Sequence, residues 1–310
     1  MAEGRTVEVG GRELKLTNLD KVLYPGAGFT KGEVIDYYAK VAPAMLPHLR
    51  GRAVTLRRFP EGVDRTADAF FEKRCPKHRP DWVRTARVRA GPRAGWIDFC
   101  VCDDLPTLVW MAQLASLELH PSLSLAESPD SPTVLVFDLD PGPPAGLVEC
   151  CAIAVRLREI FDHFGLRAFA KTSGSKGLQV YLPLNSGATY EETKPLAGAI
   201  ARLLEKQTPE AVVAKMGKKT ERSGRVLVDW YQNHPRKTTI AVYSLRARER
   251  PTVSTPLTWE EVESAARTGD PAPLVFEAPE VLRRVESLGD LFGPVAELRQ
   301  ELPDLGAAER

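Results

Sequence analysis

Asp138-Leu139-Asp140-Pro141-Gly142 closes an apolar run, 133–139, that has the make-up of a buried strand. Side chains two apart on a strand share a face. Asp138 and Asp140 therefore point the same way while Leu139 points into a core. Two ionised carboxylates so placed repel unless a cation lies between them, and Mg2+ or Mn2+ is the hard, oxygen-ligated ion that suits them. Pro141 and Gly142 end the run and leave it open to a ligand. A third acid, Asp229, lies inside Val226-Leu227-Val228-Asp229-Trp230, where a carboxylate among strand residues needs compensation. Three aspartates can hold two ions, one activating an attacking 3′-hydroxyl and both neutralising a transferred phosphoryl group. A plainer reading stays open: a strand-end turn at 138–140, and a salt-bridge partner at 229.

Other residues could meet the phosphates such chemistry requires. Thr172-Ser173-Gly174-Ser175-Lys176-Gly177 offers backbone N–H groups, hydroxyls and an ammonium, without the spacing of a P-loop. A flexible turn is the alternative. Gln232 and Asn233 follow Asp229 closely, Lys237 and Arg246 bracket the run 238–244, and Arg57-Arg58 follows Val54-Thr55-Leu56. Cys75, His78, Cys100 and Cys102 supply three thiols and an imidazole that could make a structural zinc site. Buried free cysteines beside a surface histidine are the alternative. Cys150-Cys151 reads as a pair of small apolar residues in a helix.

The elements that must hold these residues follow from periodicity. Helices are expected over 33–49, bent or interrupted at Pro43, over 105–119 with Pro106 near its start, and over 150–164. Strands are expected over 133–139, 178–184, 225–231 and 238–244. This interleaving predicts an α+β or α/β fold. The 310 residues suffice for one substantial core or two halves sharing a cleft. The division expected is a basic N-terminal portion (1–130), a catalytic portion (131–250) and an acidic C-terminal wrap (251–310). From Pro251 onward 12 acidic residues face 5 basic ones, so the first 250 residues carry about +8 beneath a net charge of +1. That surplus is compatible with a nucleic-acid partner, and equally with an ordinary solvated face. Five cysteines are an odd number, and free thiols suit a reducing compartment. No apolar run reaches the roughly 18 residues of a membrane span, and Met1–Gly11 lacks a signal-peptide core. A bacterial cytoplasmic, nucleoid-associated monomer is expected.

In order along the chain, LTNLDKVLYP, GRAVTLRRFP, FFEKRCPKHRPDWV, LASLELH, VFDLDPG, TSGSKGLQVYLPL, VDWYQN and KTTIAVYSLRAR together resemble the polymerase domain of bacterial DNA ligase D, of actinobacterial type. That family belongs to the archaeo-eukaryotic primase superfamily. The resemblance implies an α+β primase-polymerase core, with mixed or antiparallel sheets flanking an active-site cleft. It implies a template-directed polymerase that adds ribo- or deoxyribonucleotides to a primer for gap filling or end joining. Asp138, Asp140 and Asp229 match the Mn2+/Mg2+ triad. Arg57, Ser173, Lys176, Gln179, Gln232 and Arg246 match nucleotide contacts. Lys21 and Lys31 match the pair that grips the 5′-phosphate of a gap or break. Phe70, Phe71 and His120 match DNA-contacting positions, where base stacking suits the aromatics. Gln179 departs from the family's usual histidine: it still donates a hydrogen bond but does not titrate. The implied partners are gapped or broken DNA, NTP or dNTP, and a separate ligase and end-binding protein. A template-independent terminal transferase, a primer synthase, or a non-catalytic end-bridging protein are the competing readings.

Overall fold

The computed structural model describes residues 4–91, 95–215, 217 and 222–303. It resolves into two compact units, each drawn from separate stretches of chain. Residues 1–127, 238–255 and 275–291 make one; 128–237, 256–274 and 292–310 make the other. From Pro251 onward the chain contributes to both.

The unit that begins at Ser128 is built on a six-stranded sheet. Its order is Val212–Val213, Val226–Asp229, Val134–Pro141, Leu178–Pro183, Phe169–Thr172, Pro256–Leu257. Every neighbouring pair is antiparallel except the first, which is parallel. The central strand is buried on both faces from Val134 to Phe137 and alternates only towards its end, where Leu139 is buried between half-buried Asp138 and exposed Asp140. Helix Leu147–His163 packs on the strands Val134–Pro141 and Leu178–Pro183, and helix Tyr190–Gln207 on Val134–Pro141 and Val212–Val213. Cys150 and Cys151 are buried in the first of these helices, as small apolar residues.

The other unit carries a five-stranded sheet of Phe70–Glu72, Ala53–Arg58, Gly95–Val101 and Thr85–Gly91, with Ser116–Pro121 also paired to Ala53–Arg58. Helix Lys31–Leu49 starts at a capping box, with the Thr30 hydroxyl accepting from the Glu33 amide and the Glu33 carboxylate accepting from the Thr30 amide. It packs against Leu105–Gln113 and Ala278–Leu288.

The architecture is the expected α+β class, and two local expectations need correction. Of the two alternatives at Pro43, interruption does not occur: helix Lys31–Leu49 runs through both Pro43 and Pro47. The helix expected over 105–119 stops at Gln113, turns at Ala115 (φ +56°), and becomes the strand Ser116–Pro121. Leu117 and Leu119 there alternate with Glu118 and His120, a strand period that the preceding helical apolar residues mask. The strand expected over 238–244 is irregular. It makes one bridge, Thr238 to Ser122, donates from Thr239 and Ala241 to Pro121 and Leu119, and turns at Tyr243 (φ +65°). Its apolar residues are buried all the same, which is the signal the sequence carried.

Candidate active site

The central strand Val134–Pro141 brings the three aspartates onto neighbouring strands. Its register sets Asp138 opposite Asp229 along one edge and opposite Gln179 along the other. Burial pushes the Asp138 carboxyl up to about 6, and the negative charges of Asp229 and Asp140 add to this against the Gln179 hydrogen bond and the Lys171 charge. Asp229 is also raised, chiefly by burial. Each acid has an N–H donor. Gln179 Nε2 donates to Asp138 at 3.1 Å, Arg222 to Asp140 at 3.0 Å, and Gln232 Nε2 and the Tyr231 amide to Asp229 at 2.8 and 3.0 Å. With the acids turned to these donors, no group of three or more His, Cys, Asp or Glu among the described residues is gathered closely enough to hold a metal.

Asn233, expected with Gln232 among the phosphate contacts, is turned to the main chain instead. Its side chain is fully buried, accepting from the Val136 amide at 2.9 Å and donating to the Val136 and Trp230 carbonyls at 2.7 and 3.0 Å. It supplies the ladder bonds that the short strand Val226–Asp229 cannot reach, and so clips the turn after Asp229 to the strand carrying Asp138. The loop after Phe169–Thr172 is equally fixed. The Ser173 hydroxyl accepts from the Ser175 and Gly177 amides, both at 3.2 Å, and a Cβ at Gly177 would fall 2.0 Å from the Leu139 carbonyl oxygen. Only glycine fits that approach. Ser175 and Lys176 are left exposed at the loop's tip.

The chain matches the model of the LigD primase-polymerase domain over residues 30–292. This chain belongs to the LigD primase-polymerase domain family. It is 42% identical over 289 residues to the multifunctional non-homologous end joining DNA repair protein LigD of Mycobacterium tuberculosis, covering 91% of this chain and 37% of that protein. To LigD of Mycolicibacterium smegmatis it is 40% identical over 284 residues, again 91% of this chain and 36% of the relative. The chain thus spans little more than a third of these relatives. The polymerase domain of Mycobacterium tuberculosis ligase D, solved in complex with DNA, superposes with a TM-score of 0.84 at 39% identity, covering 93% of this chain and 99% of that one. As a member of the LigD primase-polymerase family, the chain is a nucleotidyltransferase of the template-directed polymerase kind.

In the unit holding Ala53–Arg58, the remaining residues named from the LigD resemblance fall into two groups. Arg57, His120 and Arg246 converge on Glu118, which the sequence reading did not single out. Glu118 is 1% exposed. One oxygen meets Arg57 at 3.2 Å and His120 at 3.0 Å; the other meets Arg246 at 3.2 Å and accepts from the Ala247 amide at 3.0 Å. Burial alone would raise this carboxyl, but the His120 hydrogen bond and the Arg246 charge outweigh it and hold the group at about 2. His120 is lowered by its burial, against the pull of Glu118. The alternation in Ser116-Leu117-Glu118-Leu119-His120, which puts the acid and the imidazole on one face, was the available clue. Phe70 and Phe71 lie beside them, 43% and 58% exposed, under the guanidiniums of Arg58 and Arg57 at 5.2 Å each.

Lys21 and Lys31 form the second group, joined by a main-chain bond from the Lys31 amide to the Lys21 carbonyl at 2.8 Å. The Lys21 ammonium pairs with Glu61 at 2.8 Å, and Lys31 donates to the Thr17 carbonyl at 2.9 Å. Burial, then the charges of Lys21 and Arg58, lower Lys31 to about 8.

The expected zinc set does not form. Cys75 and Cys100 are joined to each other as a disulfide, which also corrects the expectation of free thiols at those two positions. Cys102 is a buried free thiol raised by its burial, and His78 is exposed. A sulfur bonded to sulfur is no longer a thiolate ligand. No helix among the described residues is long and apolar enough to cross a membrane.

Proposed function

We propose that this chain extends a primer 3′ end across gapped or broken DNA bearing a 5′-phosphate, using Mn2+ or Mg2+ held by Asp138, Asp140 and Asp229. The observation that carries this is the pairing of Asp138 with Asp229 beside Asp140 in a sheet whose burial and like charges raise two of the three acids. A carboxylate set short of positive charge fits a divalent cation, which the acids can meet through the oxygens these N–H donors leave open. When bound, the ions would activate the 3′-hydroxyl and neutralise charge on the transferred phosphoryl group.

The chain's own residues supply the rest. Ser173, Lys176 and Gln232 are disposed to meet the triphosphate, and Gln179 fixes Asp138. Arg57 and Arg246 bring positive charge to the nucleotide while Glu118 and His120 hold them in place. Phe70 and Phe71 offer faces for bases, and Lys21 and Lys31 an ammonium pair for the 5′-phosphate. The relatives' names give non-homologous end joining as the setting, and a separate ligase and an end-binding protein are the partners that such joining would call for.

Primer extension on a short gapped DNA tests this, with and without the 5′-phosphate, with rNTPs and dNTPs supplied separately in Mn2+ or Mg2+. The expected result is extension that needs the template, falls without the phosphate, and vanishes in Asp138→Ala/Asp140→Ala. Extension without template would instead identify a terminal transferase. DNA binding without any incorporation would sink the polymerase reading in favour of an end-bridging one.

A further inference from the structure

Lys171 has no part in the chemistry above, yet it is 0% exposed on the strand Phe169–Thr172, opposite Gln179 in the register. Its Nζ donates to Gln179 Oε1 at 2.6 Å and stands 5.5 Å from the centre of the Tyr181 ring. The Tyr181 hydroxyl lies 3.5 Å from the same oxygen. Across the next strand, Gln179 Nε2 donates to Asp138 Oδ1 at 3.1 Å. Three neighbouring strands thus carry one line of hydrogen bonds, from a buried cation through an amide to an acid.

The direction of that line is fixed by chemistry. An ammonium has donors only, so the oxygen end of the amide must face Lys171 and its NH2 end must face Asp138. A carboxylate accepts and cannot reverse the order while ionised. Without the ammonium, the amide could turn its oxygen towards Asp138 and repel it.

We propose that Lys171 is a positioning residue: by locking the Gln179 amide it commits one oxygen of Asp138 to a fixed N–H donor and leaves the other for the metal. Such a partner behind a ligand sets its orientation, and losing one typically costs about 10–100-fold in metal affinity or activity. The inference rests on Asp138 being a metal ligand of the proposed polymerase.

Mn2+ binding to the full chain, followed by electron paramagnetic resonance, and single-nucleotide incorporation test it on Lys171→Met, Lys171→Arg, Gln179→Ala and the Lys171→Met/Gln179→Ala double variant. Lys171→Met and Gln179→Ala should each weaken Mn2+ binding and lower kcat about tenfold, within the range above, with KM for the nucleotide nearly unchanged. Lys171→Arg, again a donor only, should restore most of the loss. The double variant should be no worse than Gln179→Ala, because Lys171 acts through that amide; losses that multiply would overturn the proposal. Should Lys171→Met not fold, the unmutated protein still decides. Its Gln179 side-chain amide, assigned against Gln179→Ala, should give one resonance pair that shifts with Mg2+, and an amide averaging two orientations would overturn the proposal. Asp138→Ala separates the two readings. If it keeps Mn2+ binding and incorporation, the polymerase site itself is wrong; if it loses both while the Lys171 and Gln179 losses multiply, only the relay is.

Discussion

Around Asp138 the acids are met mostly by neutral amides; around Glu118 an acid is met by arginines. In the first region Gln179, Gln232 and the Tyr231 amide donate to carboxyls that burial and like charge hold above their ordinary range. In the second a single carboxylate, held at about 2, serves Arg57, Arg246 and His120 together. Internal pairing therefore leaves the first region short of positive charge and the second with a surplus. On the proposed reading, the first suits a cation and the second a polyanion.

The sharpest way to break this comparison is Asp138→Asn. Incorporation should fall about 10³-fold or more, because the proposed metal ligand is lost. The metal-free protein should melt at a higher temperature, because a buried charge beside Asp229 and Asp140 is removed. Activity that falls together with stability would mean that the aspartate is structural. Metal added to the unmutated protein should raise its melting point, and should raise that of the variant far less.

Glu118→Gln breaks the other side. It keeps the shape but leaves two guanidiniums without their buried counter-charge, which costs about 3 kcal/mol, and incorporation should drop about 10–100-fold as Arg57 and Arg246 lose their positions. The pH dependence has a definite sign. The folded carboxyl lies below its unfolded value of about 4.3. Its contribution is therefore fully present above that value and lost as pH falls towards about 2. Acid unfolding of Glu118→Gln should lack that part of the slope, and an identical slope in both proteins would show that Glu118 is not clamped.

How much of this was legible depended on range. The Asp138/Asp140 pair, Leu139 between them and the glycine at 177 announce themselves by local spacing, because strand alternation and a turn are local rules. Asp229 was legible only as an anomaly, an acid in an apolar run. Glu118 was legible as His120's neighbour on one strand face but not as a hub: its arginines lie 61 residues before it and more than a hundred after, and only the fold makes them neighbours. Lys171 was hidden for the same reason, since a lysine in a strand reads as solvated until its 0% exposure is seen. The cysteines misled because spacings such as CxxH describe a loop length and not where sulfur atoms meet.

Phe71 offers a smaller test of the polyanion side. It is 58% exposed, lies under Arg57, and meets the His120 ring edge-on at 5.6 Å between centroids. An exposed apolar ring at that position has little reason to be there for stability. Phe71→Ala should leave the melting temperature nearly unchanged and weaken binding to gapped DNA by about 1–3 kcal/mol if a base stacks on it. Equal affinity in the variant, by fluorescence anisotropy, would remove Phe71 from the DNA-binding surface.

The smallest effect expected is at Lys21. Its partner Glu61 is itself well exposed, and an exposed ion pair of this kind is worth roughly 0–1 kcal/mol. A 5′-phosphate could therefore displace Glu61 at little cost, whereas Lys31, buried and lowered to about 8, is held in place by Thr17. Lys21→Ala should cut the preference for a phosphorylated gap only a few-fold. It should also reduce the salt dependence of binding by about one counter-ion, uniformly across sequences. Glu61→Gln should do the reverse, strengthening the preference by freeing the ammonium. If both substitutions leave the phosphorylated and unphosphorylated gaps equally discriminated, the surplus charge in this unit serves the duplex backbone in general and the end of the break is read elsewhere.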